Sequence, residues 1–436
     1  MVQKFICGNL STRPDGHLFF AGQDTVELAR KYGTPLYLMD EDLIRAKCRL
    51  FSRCMEKYFG GRGNILYASK AASFKRIYEI MREESMCVDV VSPGEIYTAL
   101  KAGFPLERAW FHSNNKSDED ISFAMDHGVG FFVAESFEEL IAIDKAALDR
   151  GSKQKVLLRI TPGIDTHTFE AVDTGKVDSK FGYAIETGQA EEFLQLALSL
   201  KNIDLQGFHC HVGSQLFDSD VFIRSARIML DFMANIKEVY GYEAQQLNLG
   251  GGFGVPYVIS DPEPDIERIM KETADEIRSL CDRYGLEMPE IGFEPGRCMV
   301  ADAGLTLYTV GMVKKIPGFI NYVSVDGGMT DNPRYALYGA EYTVLPADRM
   351  GDERKMISSV VGRCCESGDI IQPGVPMPET MKRGDLVAVC TTGAYNYSMA
   401  SNYNRVPRPP IVMLSQGKNY VAVRRESLDD MVMLDE

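Results

Sequence analysis

The strongest constraint on this chain is an eightfold alternation between about residues 60 and 300. Short runs rich in β-branched and aromatic residues take turns with longer amphipathic stretches. The runs are NILYASK (64–70), MCVDVVS (86–92), RAWFHSN (108–114), VGFFVAES (129–136), KVLLRITP (155–162), LQGFHCHVGS (205–214), QQLNLGGG (245–252) and EIGFEPG (290–296). Strands joined through helices pair in parallel, and a parallel sheet is covered on both faces, so its strands are apolar nearly throughout. Eight such repeats predict a closed (β/α)8 barrel of TIM type. The polar residues add a second argument. Lys70, Ser92, Asn114, Glu135, Arg159, His211, Gly250 to Gly252 and Glu294 gather at the C-terminal ends of their runs, the face on which this barrel builds its sites.

After Arg297 the texture changes. LTLYTVGMV (305–313), NYVSVDGG (321–328), DLVAVC (385–390) and IVMLSQGKNYVAVRRES (411–427) alternate like strands joined by turns, with few helix-like stretches between them. They predict a mostly antiparallel β domain, a β-barrel or sandwich, which the strand-like HLFFAG (17–22) can join. A chain of 436 residues has room for both domains.

Charge and composition narrow the partners. A net charge of −15 argues against nucleic acid, whose phosphates need clustered Lys and Arg, but leaves room for a small anionic ligand. No apolar run approaches the roughly 20 residues that span a bilayer, so no membrane partner is expected. The N-terminal MVQKFICGNLSTRPDGHL has no signal-peptide core, and a cytoplasmic location is the expectation. The ten cysteines form no CxxC pair and read as free thiols of a reducing compartment.

Four barrel runs carry candidate chemistry, each with a plainer alternative. Lys70 is either a nucleophilic amine desolvated in the barrel mouth or a solvated strand-end lysine. The glycine loop LNLGGGFG (247–254) follows the seventh strand, where this barrel commonly binds phosphate, or it is a tight turn. His209 and His211 share one side of a strand, suited to a metal or to stacking on a planar ring; HxH alone is a weak metal signal and no metal is expected. FEPGR (293–297) brings Glu294 and Arg297 together for a ligand or for an internal ion pair. A lysine, a phosphate loop, an imidazole, a carboxylate and an arginine together match what pyridoxal 5'-phosphate requires.

YASKAA, HTFEAVDTGKVDSKFG, HCHVGSQ, GGGFG, EPGR, DGGMTDNPRYALYG, CCESGD and GAYNYSMASNYN follow one another along the chain. In that order they resemble the barrel-type, alanine-racemase-like (fold type III) pyridoxal-phosphate decarboxylases, most closely those that act on meso-2,6-diaminopimelate. The resemblance implies a carboxy-lyase that releases L-lysine and carbon dioxide in the last step of lysine biosynthesis. It implies a barrel domain over residues 36–298 and a β domain over residues 1–35 and 299–436. It also implies a homodimer in which that β domain completes the partner's active site.

The resemblance assigns roles residue by residue. Lys70 looks like the Schiff-base lysine, His211 like the imidazole stacked on the cofactor ring, and Glu294 like the partner of its pyridine nitrogen. Ser214, Gly251, Gly252 and Tyr395 resemble the phosphate ligands, with Gly254 and Gly296 in the same cofactor-binding motifs. Arg297 is similar to the arginine near phosphate and substrate. Arg334 and Tyr338 match the pair on the substrate's distal carboxylate, Glu366 the acceptor of its distal ammonium, and Tyr395 also faces substrate. Cys365 matches the acid that returns a proton to carbon. Two departures stand out: Ala72 replaces a common Asn after the lysine, and Arg363-Cys364 precede the reacting cysteine where small residues or proline are common.

A racemase on this barrel would leave the CCESGD segment without a purpose, and a catalytically dead binding protein should have lost Lys70 or Cys365. The motif order disfavours a nucleotide-binding protein.

Overall fold

The computed structural model describes residues 5–164 and 179–436. The motif HTFEAVDTGKVDSKFG, which begins at residue 167, lies outside the described residues as far as 178. Two compact units divide the chain. One comprises Lys47–Gly254 and Glu263–Arg297; the other comprises Met1–Ala46, Val255–Pro262 and Cys298–Glu436.

The first unit is the barrel. Its strands are β1 (Gly63–Ala68), β2 (Cys87–Val90), β3 (Ala109–Phe111), β4 (Phe131–Ala134), β5 (Gln154–Thr161), β6 (Ile203–His209), β7 (Gln246–Asn248) and β8 (Glu290–Phe293). Each pairs in parallel with the next, and β8 closes on β1 with Ile291 opposite Gly63. β2, β3 and β4 are buried along their whole length, as strands covered on both faces must be. Leu66, Cys87, Trp110, Phe131, Val133 and Leu157 form a buried cluster shared by β1 to β5, with Trp110 and Phe131 stacked at 4.1 Å between ring centroids. Each such side chain contributes about 1.5–3 kcal/mol on burial.

Part of the polar clustering at the strand ends is structural. Ser92 accepts from Glu95 N and caps the helix Pro93–Lys101, and Ser136 accepts from Glu139 N at the head of the helix Phe137–Asp149. A side-chain oxygen there satisfies amides that no helical carbonyl can reach.

The second unit is a mostly antiparallel sheet. Its strands are β9 (Gly304–Lys314), β10 (Asn321–Val325), β11 (Val344–Pro346), β12 (Met356–Val361), β13 (Ile370–Met377), β14 (Leu386–Cys390), β15 (Ile411–Ser415) and β16 (Lys418–Val423). The long β9 pairs antiparallel with β14 along its first half and with β10 along its second. The strand Leu36–Asp40 also belongs here, antiparallel to β9 and parallel to β15. A barrel-domain boundary at residue 36 is therefore one strand too early. LYLMD is buried throughout, so its apolar pattern is indistinguishable from that of a barrel strand.

Leu18–Phe20 pairs in a separate three-stranded sheet with Leu10–Thr12 and Gln23–Asp24, and Leu18 and Phe20 pack into the core with Leu305, Leu307, Leu345 and Leu414. The strand β13 carries Pro373 and Pro376 yet stands at the sheet edge, where a missing amide donor costs no ladder bond. Among the described residues no helix is long and apolar enough to cross a membrane.

Candidate active site

In the barrel unit the polar groups converge on Glu294, the residue after β8. Its Oε1 accepts from Asn248 Nδ2 at 2.8 Å and lies 2.9 Å from His112 Nε2. Its Oε2 is 3.1 Å from His209 Nε2. Asp89 on β2 stands behind, 3.9 Å from His112 Nε2, and all of these side chains are buried. Burial pushes the Glu294 carboxyl up, but the two imidazoles outweigh it and hold the group well below the usual carboxylate range. Burial works against charge on His112 too, and there the carboxylates of Asp89 and Glu294 win and raise it. His209 goes the other way, pushed down by burial to about 4. The result is an ionised carboxylate between one imidazole biased toward its cation and one biased toward its neutral form.

Lys70 follows β1 on a single helical turn, Ser69–Ala71, which Tyr67 Oη steadies by donating to Ala72 O at 2.9 Å. Lys70 is exposed in the single chain. Burial, with the charges of Lys70 and Arg159, holds His211 neutral, well below an ordinary histidine. Its Nδ1 accepts from Gly251 N at 3.2 Å.

The glycine loop allows no side chains. A Cβ on Gly251 would stand 2.1 Å from Glu294 O, and one on Gly252, at φ +111°, would stand 2.6 Å from Gly213 O. Gly254 spends its amide on Leu216 O at 2.8 Å, whereas the amide of Gly252 has no partner among the described residues. Gly296 packs against Ala68 and Ala71, where a Cβ would meet Ala68 Cβ at 2.9 Å. Ser214 Oγ accepts from Arg297 Nε and Nη2 at 3.2 and 3.0 Å, which joins the end of the β6 loop to the start of the segment after β8. Arg159 pairs with Glu135 at 2.6 Å, and Glu135 also accepts from Gly182 N.

In the other unit, Arg334 opens the short helix Arg334–Tyr338 and is buried. Its Nη1 donates to Tyr342 Oη at 2.9 Å, and its guanidinium lies 4.8 Å from the Tyr257 ring centroid. Tyr338 is exposed. The segment GRCCESGD is a loop organised by Asp369, whose carboxylate accepts from Cys364 N at 2.7 Å and Met329 N at 2.6 Å. Cys365 N donates to Asn404 Oδ1 at 2.9 Å, and the side chains of Cys365 and Glu366 are exposed. Burial, then Asp369, push the Cys364 thiol up to about 11, so it stays protonated. Tyr395 is half-buried at φ +59°.

Sequence reasoning missed Asp89, His112, Asn248 and Tyr342. His112 and Asn248 obey the strand-end rule that found Glu294, whereas Asp89 lies inside β2, and Asp89 and Asn248 sit within apolar runs. His112 was passed over for Asn114, although the strand stops at Phe111. His112, His209 and Glu294 bring ligand atoms within 4.8 Å of one another and form a group that could hold a metal ion.

Residues 41–301 match the family model described as "Pyridoxal-dependent decarboxylase, pyridoxal binding domain". The chain is 43% identical over 431 residues to the diaminopimelate decarboxylase of Bacillus subtilis, covering 99% of this chain and 98% of that protein. It is 42% identical to that of Staphylococcus aureus over 97% of this chain and 98% of that one. Among solved structures, the diaminopimelate decarboxylase of M. jannaschii in co-complex with L-lysine superposes with a TM-score of 0.90. It is 33% identical, over 98% of each chain.

The chain belongs to the diaminopimelate decarboxylase family. Its cofactor is accordingly pyridoxal phosphate, and the residues present fit that group. An ionised, buried Glu294 suits a protonated ring nitrogen, a neutral His211 suits the face of a planar ring, and the free Gly252 amide in a side-chain-free loop suits a phosphate oxygen.

Proposed function

We propose that this chain decarboxylates meso-2,6-diaminopimelate to L-lysine and carbon dioxide, the last step of lysine biosynthesis, in the cytoplasm and as a homodimer with shared sites. Full-length relatedness supports the reaction, and ten free cysteines suit a reducing compartment. One observation carries the substrate: Arg334 is a buried guanidinium with no carboxylate partner among the described residues. A buried cation is costly until an anion reaches it, and meso-diaminopimelate brings a second carboxylate.

Pyridoxal phosphate, once bound, supplies a sink for the electron pair left when carbon dioxide departs. Lys70 would hold the cofactor covalently through its side-chain amine. Glu294 would favour a proton on the ring nitrogen, and Ser214, Gly251, Gly252, Tyr395 and Arg297 would hold the phosphate side. Arg334 and Tyr338 take the distal carboxylate and Glu366 the distal ammonium, which fixes the carbon to be decarboxylated. Cys365 would then give its thiol proton to that carbon.

L-Lysine offered with its α-carbon at the cofactor would leave Arg334 unpaired and is a poor substrate. The same L-lysine, left as product, keeps the carboxylate that Arg334 held. Incubation of the holoenzyme with meso-diaminopimelate should release carbon dioxide and L-lysine one for one. Release of neither overturns the proposal.

A further inference from the structure

We infer that Tyr342 is a positioning residue that sets the enzyme's affinity for the distal carboxylate by aiming Arg334; this rests on the substrate reading above. Tyr342 Oη accepts from Arg334 Nη1 at 2.9 Å and from Asn396 Nδ2 at 3.2 Å. Its backbone is tied down as well, with Tyr342 N donating to Gln372 Oε1 at 2.8 Å. The Tyr257 ring meets Tyr342 edge-on at 5.4 Å between centroids and offers its face to the guanidinium at 4.8 Å. Tyr257, Tyr342, Arg334 and Asn396 are all buried.

This arrangement does two things to a five-donor cation. It consumes one side of the fork, Nη1, and fixes the plane by a cation–π contact. No other hydrogen bond from the Arg334 guanidinium is present among the described residues, which leaves the edge formed by Nε and Nη2 for a ligand. That edge is the geometry by which arginine takes a carboxylate with two parallel bonds. Burial opposes charge on Arg334, while Tyr257 and Tyr342 favour it, so the guanidinium waits as a cation without an anion. A phenol that holds it without neutralising it keeps the charge for the substrate. An acidic side chain in place of Tyr342 would pair with it instead.

The test uses three ligands on the holoenzyme of Tyr342→Phe, which removes one oxygen and keeps the ring. meso-Diaminopimelate and L-lysine carry the carboxylate that Arg334 would hold; 1,5-diaminopentane has both amines and no carboxylate. The expected result is a KM for meso-diaminopimelate and a Ki for L-lysine that each rise about tenfold, as for loss of a hydrogen bond to a charged group. Under the same conditions kcat and the Ki for 1,5-diaminopentane stay within about twofold. Equal changes for all three ligands would show a merely structural role and overturn the inference. So would no change in Tyr342→Phe while Arg334→Gln raises the first two constants. Arg334→Gln itself separates the two claims: if it leaves both constants unchanged, the substrate reading has failed. Should Tyr342→Phe not fold, Tyr257→Leu removes the ring under the guanidinium and carries the same expectation and the same contrary outcomes.

Discussion

His209 Nε2 stands 3.1 Å from Glu294 Oε2, and the other ring nitrogen of His209, Nδ1, has no hydrogen-bond partner among the described residues. Because Glu294 is ionised it can only accept, so the proton sits on Nε2 and the ring is neutral. A second proton on Nδ1 would be a buried donor facing no acceptor, which is why burial drives this histidine down to about 4.

The linkage has a definite sign. The unfolded chain takes up that proton near pH 6.5 and the folded chain only near 4. The stability contribution is therefore full above 6.5 and is lost as pH falls from 6.5 through 4. It amounts to roughly 3 kcal/mol at 1.36 kcal/mol per pH unit. His209→Gln should lack this component. Stabilities from urea unfolding at pH 7.5 and pH 4.5 should show the native chain losing about 2.5 kcal/mol more than the variant, whereas parallel losses contradict the assignment.

The closeness of Gly251 to Glu294 predicts a steric effect. A methyl group there would meet a backbone carbonyl oxygen at 2.1 Å, which cannot swing away. Gly251→Ala should lower stability by about 1–3 kcal/mol and weaken cofactor binding, read by thermal midpoint and by titration of the apoenzyme with pyridoxal phosphate. Gly351→Ala, where nothing lies within 4 Å, is the control and should change neither.

Shared sites predict complementation. If Cys365 serves the partner's barrel, chains with Lys70→Ala and chains with Cys365→Ala should each be nearly inactive alone. Mixed and re-paired, half the dimers are hybrids with one intact site of two, so activity should return to about a quarter of the native level. Hybrids that form and stay inactive contradict a cysteine that crosses the interface.

Much of this was legible in the chain because the period of a parallel barrel leaves a strong trace. Eight buried runs, each ending in polar residues, placed Lys70, His211 and Glu294 on one face. What stayed hidden depends on spatial rather than sequential neighbours. His112 and Asn248 reach Glu294 from the ends of two other strands, with Asp89 of a third behind His112, and no spacing in the sequence joins them. Ser92 stands at a strand end but caps a helix. LYLMD reads like a barrel strand because burial on both faces leaves the same pattern in either sheet. The strand Ile370–Met377 was missed because its prolines argue against a strand, and only its edge position permits them.

Selection of the substrate by its second carboxylate is proposed on the buried Arg334 guanidinium. Carbon dioxide release measured with meso-diaminopimelate, L-lysine and L-ornithine as separate substrates of the holoenzyme tests it most directly. The expected kcat/KM for meso-diaminopimelate is about a thousandfold or more above the other two, because each of them leaves the Arg334 cation unpaired. Comparable kcat/KM for L-ornithine or L-lysine would contradict it.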